Sequence, residues 1–271
     1  MKQQSLKLTL VMMTILFGMV ACKKENTECL PPQQQLPNPL PENALVVQLK
    51  RTDLDHESFS YNYKGQVSQL RSQWQFVEGD PTQIRTQIYD FVYDTEDKPV
   101  RINTTGGSDV IYFYKGNRVE KMQELLPQGE VAKEVYFSYA NGRIVQEYWD
   151  ILDVAEDTVS YYKHDYYYDE KSNLTKIVSS VLKNNLYFTE VERIEYSDFD
   201  DKINPISWKM RYPYIPQIRY QFNNPRKEVR TLADGQKQTT TYSYEYNAAG
   251  LPIIKHVTLP SGYAYVLEYL Y

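Results

Sequence analysis

Three histidines, His56, His164 and His256, stand far apart in the 271-residue chain, and none has a second ligand-type side chain at metal spacing. Carboxylates cluster in two turns, Asp94, Glu96 and Asp97 in one and Asp198, Asp200 and Asp201 in the other. Grouped oxygens are what calcium takes, whereas turn carboxylates ordinarily accept nearby backbone amides. A hydrolase working with two loop carboxylates would need them roughly 5–9.5 Å apart in a cleft. There is no nucleophile elbow, phosphate loop or paired-cysteine motif, so no catalytic residue, metal or cofactor is assigned and a non-enzymatic role leads. Two other features suit binding. Trp74, Trp149 and Trp208 each come just after an apolar strand segment and offer stacking platforms at one rim, and 26 tyrosines supply amphipathic contact area at low entropic cost.

The remaining oddity depends on a repeat. Aromatic or apolar residues recur in pairs two apart: Tyr61/Tyr63, Phe91/Tyr93, Tyr112/Tyr114, Phe137/Tyr139, Tyr166/Tyr168, Ile194/Tyr196, Tyr220/Phe222, Tyr244/Tyr246 and Tyr269/Tyr271. Their second members lie on average 26 residues apart, which marks a repeated structural unit. Side chains alternate across a strand, so both members of a pair share one face. Two residues earlier the same face carries Phe59, Tyr89, Val110, Val135, Ile218, Tyr242 and Leu267, but also His164 and Glu192. A lone charge on an apolar face is costly. With one strand between them, His164 and Glu192 would have backbones about 9.5 Å apart and form a polar spot lining a cleft. A register slip that puts both in water is the alternative.

Turn residues follow the pairs, as in Lys64-Gly65, Asn141-Gly142 and Asn247-Ala248-Ala249-Gly250, and then a second apolar segment such as Leu174 to Ile177, Ile203 to Ile206 or Leu251 to Ile253. The pattern predicts an all-β antiparallel meander of about 16–17 short strands built from repeated hairpins. A sheet of that size curls or closes into a barrel. The last strand, ending at Tyr271, either closes it against the first hairpin or stays as a capped edge. The rings form its inner ladder, with the tyrosine hydroxyls reaching water.

Residues 1–21 read as a secretory signal, with Lys2 and Lys7 before an apolar run too short for a membrane span. The sequence Met19-Val20-Ala21-Cys22 resembles the lipobox of bacterial lipoproteins, in which Cys22 becomes the acylated N-terminus. An ordinary signal with an incidental cysteine is the alternative. Residues 22–43, with five prolines and three consecutive glutamines, form a tether that cannot build a core, and Cys29 lies within it. Residues 44–271 then form one all-β domain. Without the two signal lysines the net charge is −7, which argues against a nucleic-acid partner.

Tyr93-Asp94 with Pro99-Val100-Arg101-Ile102, Tyr168-Asp169 with Asn173-Leu174-Thr175-Lys176-Ile177, and Tyr246-Asn247 with Gly250-Leu251-Pro252-Ile253 resemble the tyrosine-aspartate repeats of Rhs and teneurin shells. Most units lack the aspartate, with Lys64, Lys115 and Ala140 in its place. Taken with the lipobox and the charged start Cys22-Lys23-Lys24-Glu25, the chain resembles Bacteroidetes lipoproteins of unknown function that carry degenerate repeats of this kind and a porin-like meander. The resemblance implies an outer-membrane lipoprotein of the cell envelope and supplies no catalytic residues. The leading expectation is a lipid-anchored module that binds a glycan, peptide or protein through Trp74, Trp149, Trp208, His164 and Glu192. The alternatives are the carboxylate hydrolase and an integral outer-membrane barrel, which needs lipid-facing strands of about 9–11 residues, longer than these segments look.

Overall fold

The computed structural model describes residues 44–77, 82–153, 158–183, 186–206 and 221–271. Sixteen strands follow one another: β1 (Gln48–Thr52), β2 (Asp55–Tyr61), β3 (Val67–Gln75), β4 (Ile84–Tyr93), β5 (Pro99–Thr105), β6 (Asp109–Lys115), β7 (Arg118–Leu125) and β8 (Val131–Ala140), then β9 (Arg143–Asp153), β10 (Thr158–Tyr168), β11 (Leu174–Lys183), β12 (Tyr187–Ser197), β13 (Lys227–Leu232), β14 (Lys237–Tyr246), β15 (Pro252–Thr258) and β16 (Ala264–Leu270). Each pairs antiparallel with its chain neighbours. β16 pairs with β1, with Leu49 opposite Tyr269, so the meander closes into a barrel. Closure leaves no free edge.

The curl has a visible cause. In six hairpins the register shifts at a ring of the pair, the second ring at Tyr93, Tyr114, Tyr139, Tyr168 and Tyr246 and the first at Tyr61. One extra residue opposite each ring bends the strand and increases its twist. All six bulges lie at the same rim, where even-numbered strands end, so their bends work together.

The same rim explains why the ring is tyrosine. Tyr61, Tyr93, Tyr114, Tyr139, Tyr168, Tyr244 and Tyr271 each donate their hydroxyl to the backbone carbonyl of Val46, Val67, Pro99, Val119, Ile144, Pro225 and Pro252, at 2.5–3.1 Å. The hydroxyl thus fastens one hairpin to the one before it rather than reaching water. The residue after the ring fixes the turn. Asn62, Asp94, Asp169 and Asn247 accept, through their side-chain oxygen, the amide four residues on, at 2.8–3.0 Å. The first unit is therefore Phe59/Tyr61 followed by Asn62, two residues earlier than its Tyr61/Tyr63 pairing suggests. Tyr63 falls in the turn and is 92% exposed.

One apolar cluster runs through the barrel, with Leu70, Ile102, Met122, Val135 and Leu174 fully buried beside Phe59, Phe91, Tyr112, Phe137, Tyr166 and Tyr269. Each such side chain contributes about 1.5–3 kcal/mol on burial. Directly paired residues share a face, so the outer face follows from the register. It carries Lys121, Glu134, Lys163, Asp165, Arg101, Asp109, Glu245 and His256, joined two by two at 2.5–3.0 Å. The apolar cluster lies within, but the inner face also carries the ion pairs Lys133–Glu124 and Arg230–Glu192, so charge stands on both faces of the wall.

The seventh unit departs from the pattern. Ile203 and Ile206, expected on a strand, lie in an excursion between β12 and β13, and Phe222 lies in a bend beside the single bridge Ile203 to Asn223. Tyr220 falls outside the described residues. Phe199 and Ile206 pack on the core, and the Asn173 side-chain amide ties the excursion to the neighbouring turn by donating to Asn223 Oδ1 and accepting from the Asn223 backbone N–H. The described ends of the excursion, residues 198–206 and 221–226, lie beside the tyrosine rim, with Asp200 accepting the Tyr246 hydroxyl.

Candidate functional site

His164, Ser179 and Glu192 sit in one cross-strand row of the inner face, on β10, β11 and β12, and Glu147 of β9 extends it directly opposite His164. The register keeps His164 and Glu192 one strand apart and inside the barrel. His164 Nδ1 lies 2.9 Å from Ser179 Oγ, and its ring lies 4.4 Å from that of Trp149. Glu192 is not a lone charge, because Arg230 of β13 reaches it at 2.5 Å. Lys133 stands over the Trp149 ring at 4.9 Å and pairs with Glu124 at 3.0 Å.

Glu147 is 2% exposed and accepts a hydrogen bond from Trp149 Nε1 at 3.1 Å. Burial pushes its carboxyl up to about 7, against the hydrogen bonds from Trp149 and Tyr166 that favour the ionised form. Burial also holds His164 down at about 4, outweighing the nearby Glu192 charge. Glu147 Oε1 and His164 Nε2 have no hydrogen-bond partner among the described residues. Glu147 and Glu192 are three strands apart, about 14 Å of backbone, so this row does not bring two carboxylates to hydrolase spacing.

Trp74 and Trp149 lie within β3 and β9, whose strands run past the apolar segments read from the sequence, and both face inward. The structure joins Trp149 to His164; Trp208 lies outside the described residues, as does Cys22. The turn carboxylates are engaged locally. Asp94 accepts the Glu96 and Lys98 amides, Asp97 pairs with Lys64, and Asp200 accepts the Lys202 amide and the Tyr246 hydroxyl.

Neither Glu147 nor Ser179 stands out in the sequence. Counting back by twos from Trp149 places Glu147 on the ring side, a signal masked by the neighbouring polar residues. Phe113, Lys121, Tyr136, Tyr148 and Lys163 form one outward row across β6 to β10, and Tyr148 meets Tyr161 and Phe188 at ring distances of 6.0 and 5.9 Å. Phe113 and Tyr136 are 40% and 38% exposed. Near the excursion a second inward feature appears, a cavity of about 110 Å³ walled by tyrosines.

The barrel is similar to two solved structures described as porin-like proteins. The one from Bacteroides uniformis is 12% identical, with a TM-score of 0.54 over 83% of this chain and 95% of that one. The one from Bacteroides vulgatus is 13% identical, with a TM-score of 0.55 over 84% and 98%. At that identity the likeness is one of fold. No family model matches the chain, and no curated protein matches it.

Proposed function

We propose that the chain is a cell-envelope lipoprotein, anchored through acylated Cys22, whose barrel stands in water and binds a glycan, peptide or protein partner without catalysis. The observation that carries this is the outer face of the wall, where the ion pairs Arg101–Asp109, Lys121–Glu134 and Lys163–Asp165 stand outward. A lipid-facing wall would carry apolar side chains there, since each outward lysine or arginine at mid-membrane costs about 2–4 kcal/mol. Strand length does not decide the question. β4, β8, β9, β10, β11, β12 and β14 have 10 or 11 residues, enough to span, contrary to the shorter segments read from the sequence. The closed sixteen-stranded sheet itself favours the integral outer-membrane barrel as the second reading.

Rings presented outward beside carboxylates and amides support binding. Around Tyr136 and Tyr148 stand Gln123, Glu134 and Asp150, a mixture that stacks on sugar faces and hydrogen-bonds their hydroxyls. Glycan-array and peptide-array binding by the full chain, compared with Tyr136→Ala and Tyr148→Ala variants, tests this. Ligand capture weakened at least tenfold by either variant supports it, and an absence of any ligand refutes it.

A further inference from the structure

Two turns at the rim where the odd-numbered strands end leave a cleft of about 420 Å³ between them. Residues 106–108 join β5 to β6, and residues 126–130 join β7 to β8. Gly106, Gly107 and Gly129 line the cleft without side chains to fill it. Leu125, Leu126 and Pro127 give it an apolar wall, and Arg101 and Asp109 supply its charged groups. The volume falls within the roughly 300–1,000 Å³ of small-molecule sites and equals about fourteen waters at liquid density, room for one sugar ring.

The charged groups are held in place and only partly used. Arg101 donates from Nη2 to Asp109 Oδ2 at 2.5 Å and from Nε to Asn103 Oδ1 at 2.7 Å, and Asp109 Oδ1 accepts the Thr104 amide at 2.8 Å. A guanidinium carries about five N–H donors and a carboxylate about four acceptor sites, so donors and acceptors remain side by side on both groups. Their side chains are 43% and 27% exposed, so an occupant reaches them. A hydroxyl both donates and accepts, and matches this pair from either side. A ligand acid would face the Asp109 charge and a ligand amine the Arg101 charge, whereas a neutral sugar meets a pair that cancels itself. The carbon face of its ring then lies against the apolar wall.

The cleft also continues the outward aromatic patch. Arg101 pairs with Ile111, Ile111 with Gln123 and Gln123 with Glu134, in one cross-strand row on the outer face that ends beside Tyr136. The row spans about 14 Å of sheet. We propose that the cleft is a subsite for one neutral sugar unit of a glycan, with its hydroxyls on Arg101 and Asp109 and the following units crossing to the Tyr136 and Tyr148 rings. The inference rests on the binding role proposed above and names the sugar class that role takes.

The test is ligand-observed NMR titration of the full chain with D-glucose, D-galactose and D-mannose, against the charged sugars D-glucuronate and D-glucosamine. At least one neutral hexose should bind fivefold or more tighter than either charged sugar. Arg101→Lys keeps the charge and loses the planar fork, and Asp109→Asn keeps an acceptor for the Thr104 amide. Each should weaken hexose binding tenfold or more, with the urea midpoint showing that the variant is folded. If one variant does not fold, the other and the neutral-to-charged ratio decide. Hexose binding kept in Tyr136→Ala and Tyr148→Ala but lost in the cleft variants supports the cleft as its place. No binding of any hexose, equal or tighter binding of a charged sugar, or unchanged binding in the folded cleft variants overturns the subsite. Array capture that is lost in the tyrosine variants and kept in both cleft variants discards the cleft and leaves the surface-binding role standing.

Discussion

Replacing Glu147 by glutamine should change the pH dependence of stability more than stability itself. Burial holds Glu147 protonated up to about pH 7 and His164 neutral down to about pH 4. Unfolding returns them to their ordinary values, near 4.5 and 6.5. The raised carboxyl makes the folded state bind the extra proton, so its contribution falls as pH rises from about 4.5 to 7. The depressed imidazole makes the unfolded state bind the extra proton, so its contribution rises from about pH 4 to 6.5. At about 1.4 kcal/mol per pKa unit each arm amounts to about 3 kcal/mol. The two oppose each other across pH 4.5–6.5, and the parent protein should show almost no slope from this pair. Glu147→Gln keeps an acceptor for Trp149 and mimics the protonated carboxyl. Relative to the parent it should gain about 3 kcal/mol as pH rises from 4.5 to 7. His164→Gln should lose about 3 kcal/mol relative to the parent between pH 4 and 6.5. Urea unfolding midpoints at half-unit pH steps read both effects, given an unchanged m-value. If both variants run parallel to the parent, the two groups are not buried in the states assigned to them.

Two further outcomes follow from the packing. Tyr93→Phe and Tyr168→Phe each remove one hydroxyl-to-carbonyl bond between neighbouring hairpins and should each cost about 1 kcal/mol, adding to about 2 in the double variant because the sites are far apart; chemical denaturation checks the sum. Arg230→Met leaves Glu192 on the inner face without its cation, and adding Glu192→Gln should recover most of the loss, so a double-mutant cycle should show a coupling of about 1 kcal/mol, modest because Arg230 is 47% exposed.

The aromatic pairs made the strands legible, because a period of two on one face holds only in a half-buried strand. They were legible even where unit one is offset: Tyr61 and Tyr63 keep the same spacing as Phe59 and Tyr61, and only the side-chain acceptor of Asn62 distinguishes them. Unit seven misled for the opposite reason. Ile203, Ile206 and Phe222 have the residue types of strands, but tertiary packing of the excursion against the rim overrides that local preference. β13 was hidden, since Lys227–Leu232 alternates charges with β-branched residues and has no ring. Of the candidate site, the rows of His164 and Glu192 could be read from the repeat. Their partners Ser179, Glu147 and Arg230 could not, because a cross-strand neighbour is set by the register of bulged hairpins rather than by distance along the chain. The roles of the tryptophans as platforms and of Cys22 as the lipid anchor remain proposals of the sequence.

The proposed barrel stands in water behind an outer wall that carries ion pairs. The most direct measurement exchanges residues 1–22 for a signal peptide cleaved without lipidation and follows the secreted chain through detergent-free fractionation and light scattering. A soluble, monodisperse chain is the predicted result. A chain that stays in carbonate-washed membranes, or that disperses only in detergent, would contradict it and make the wall a membrane-spanning one.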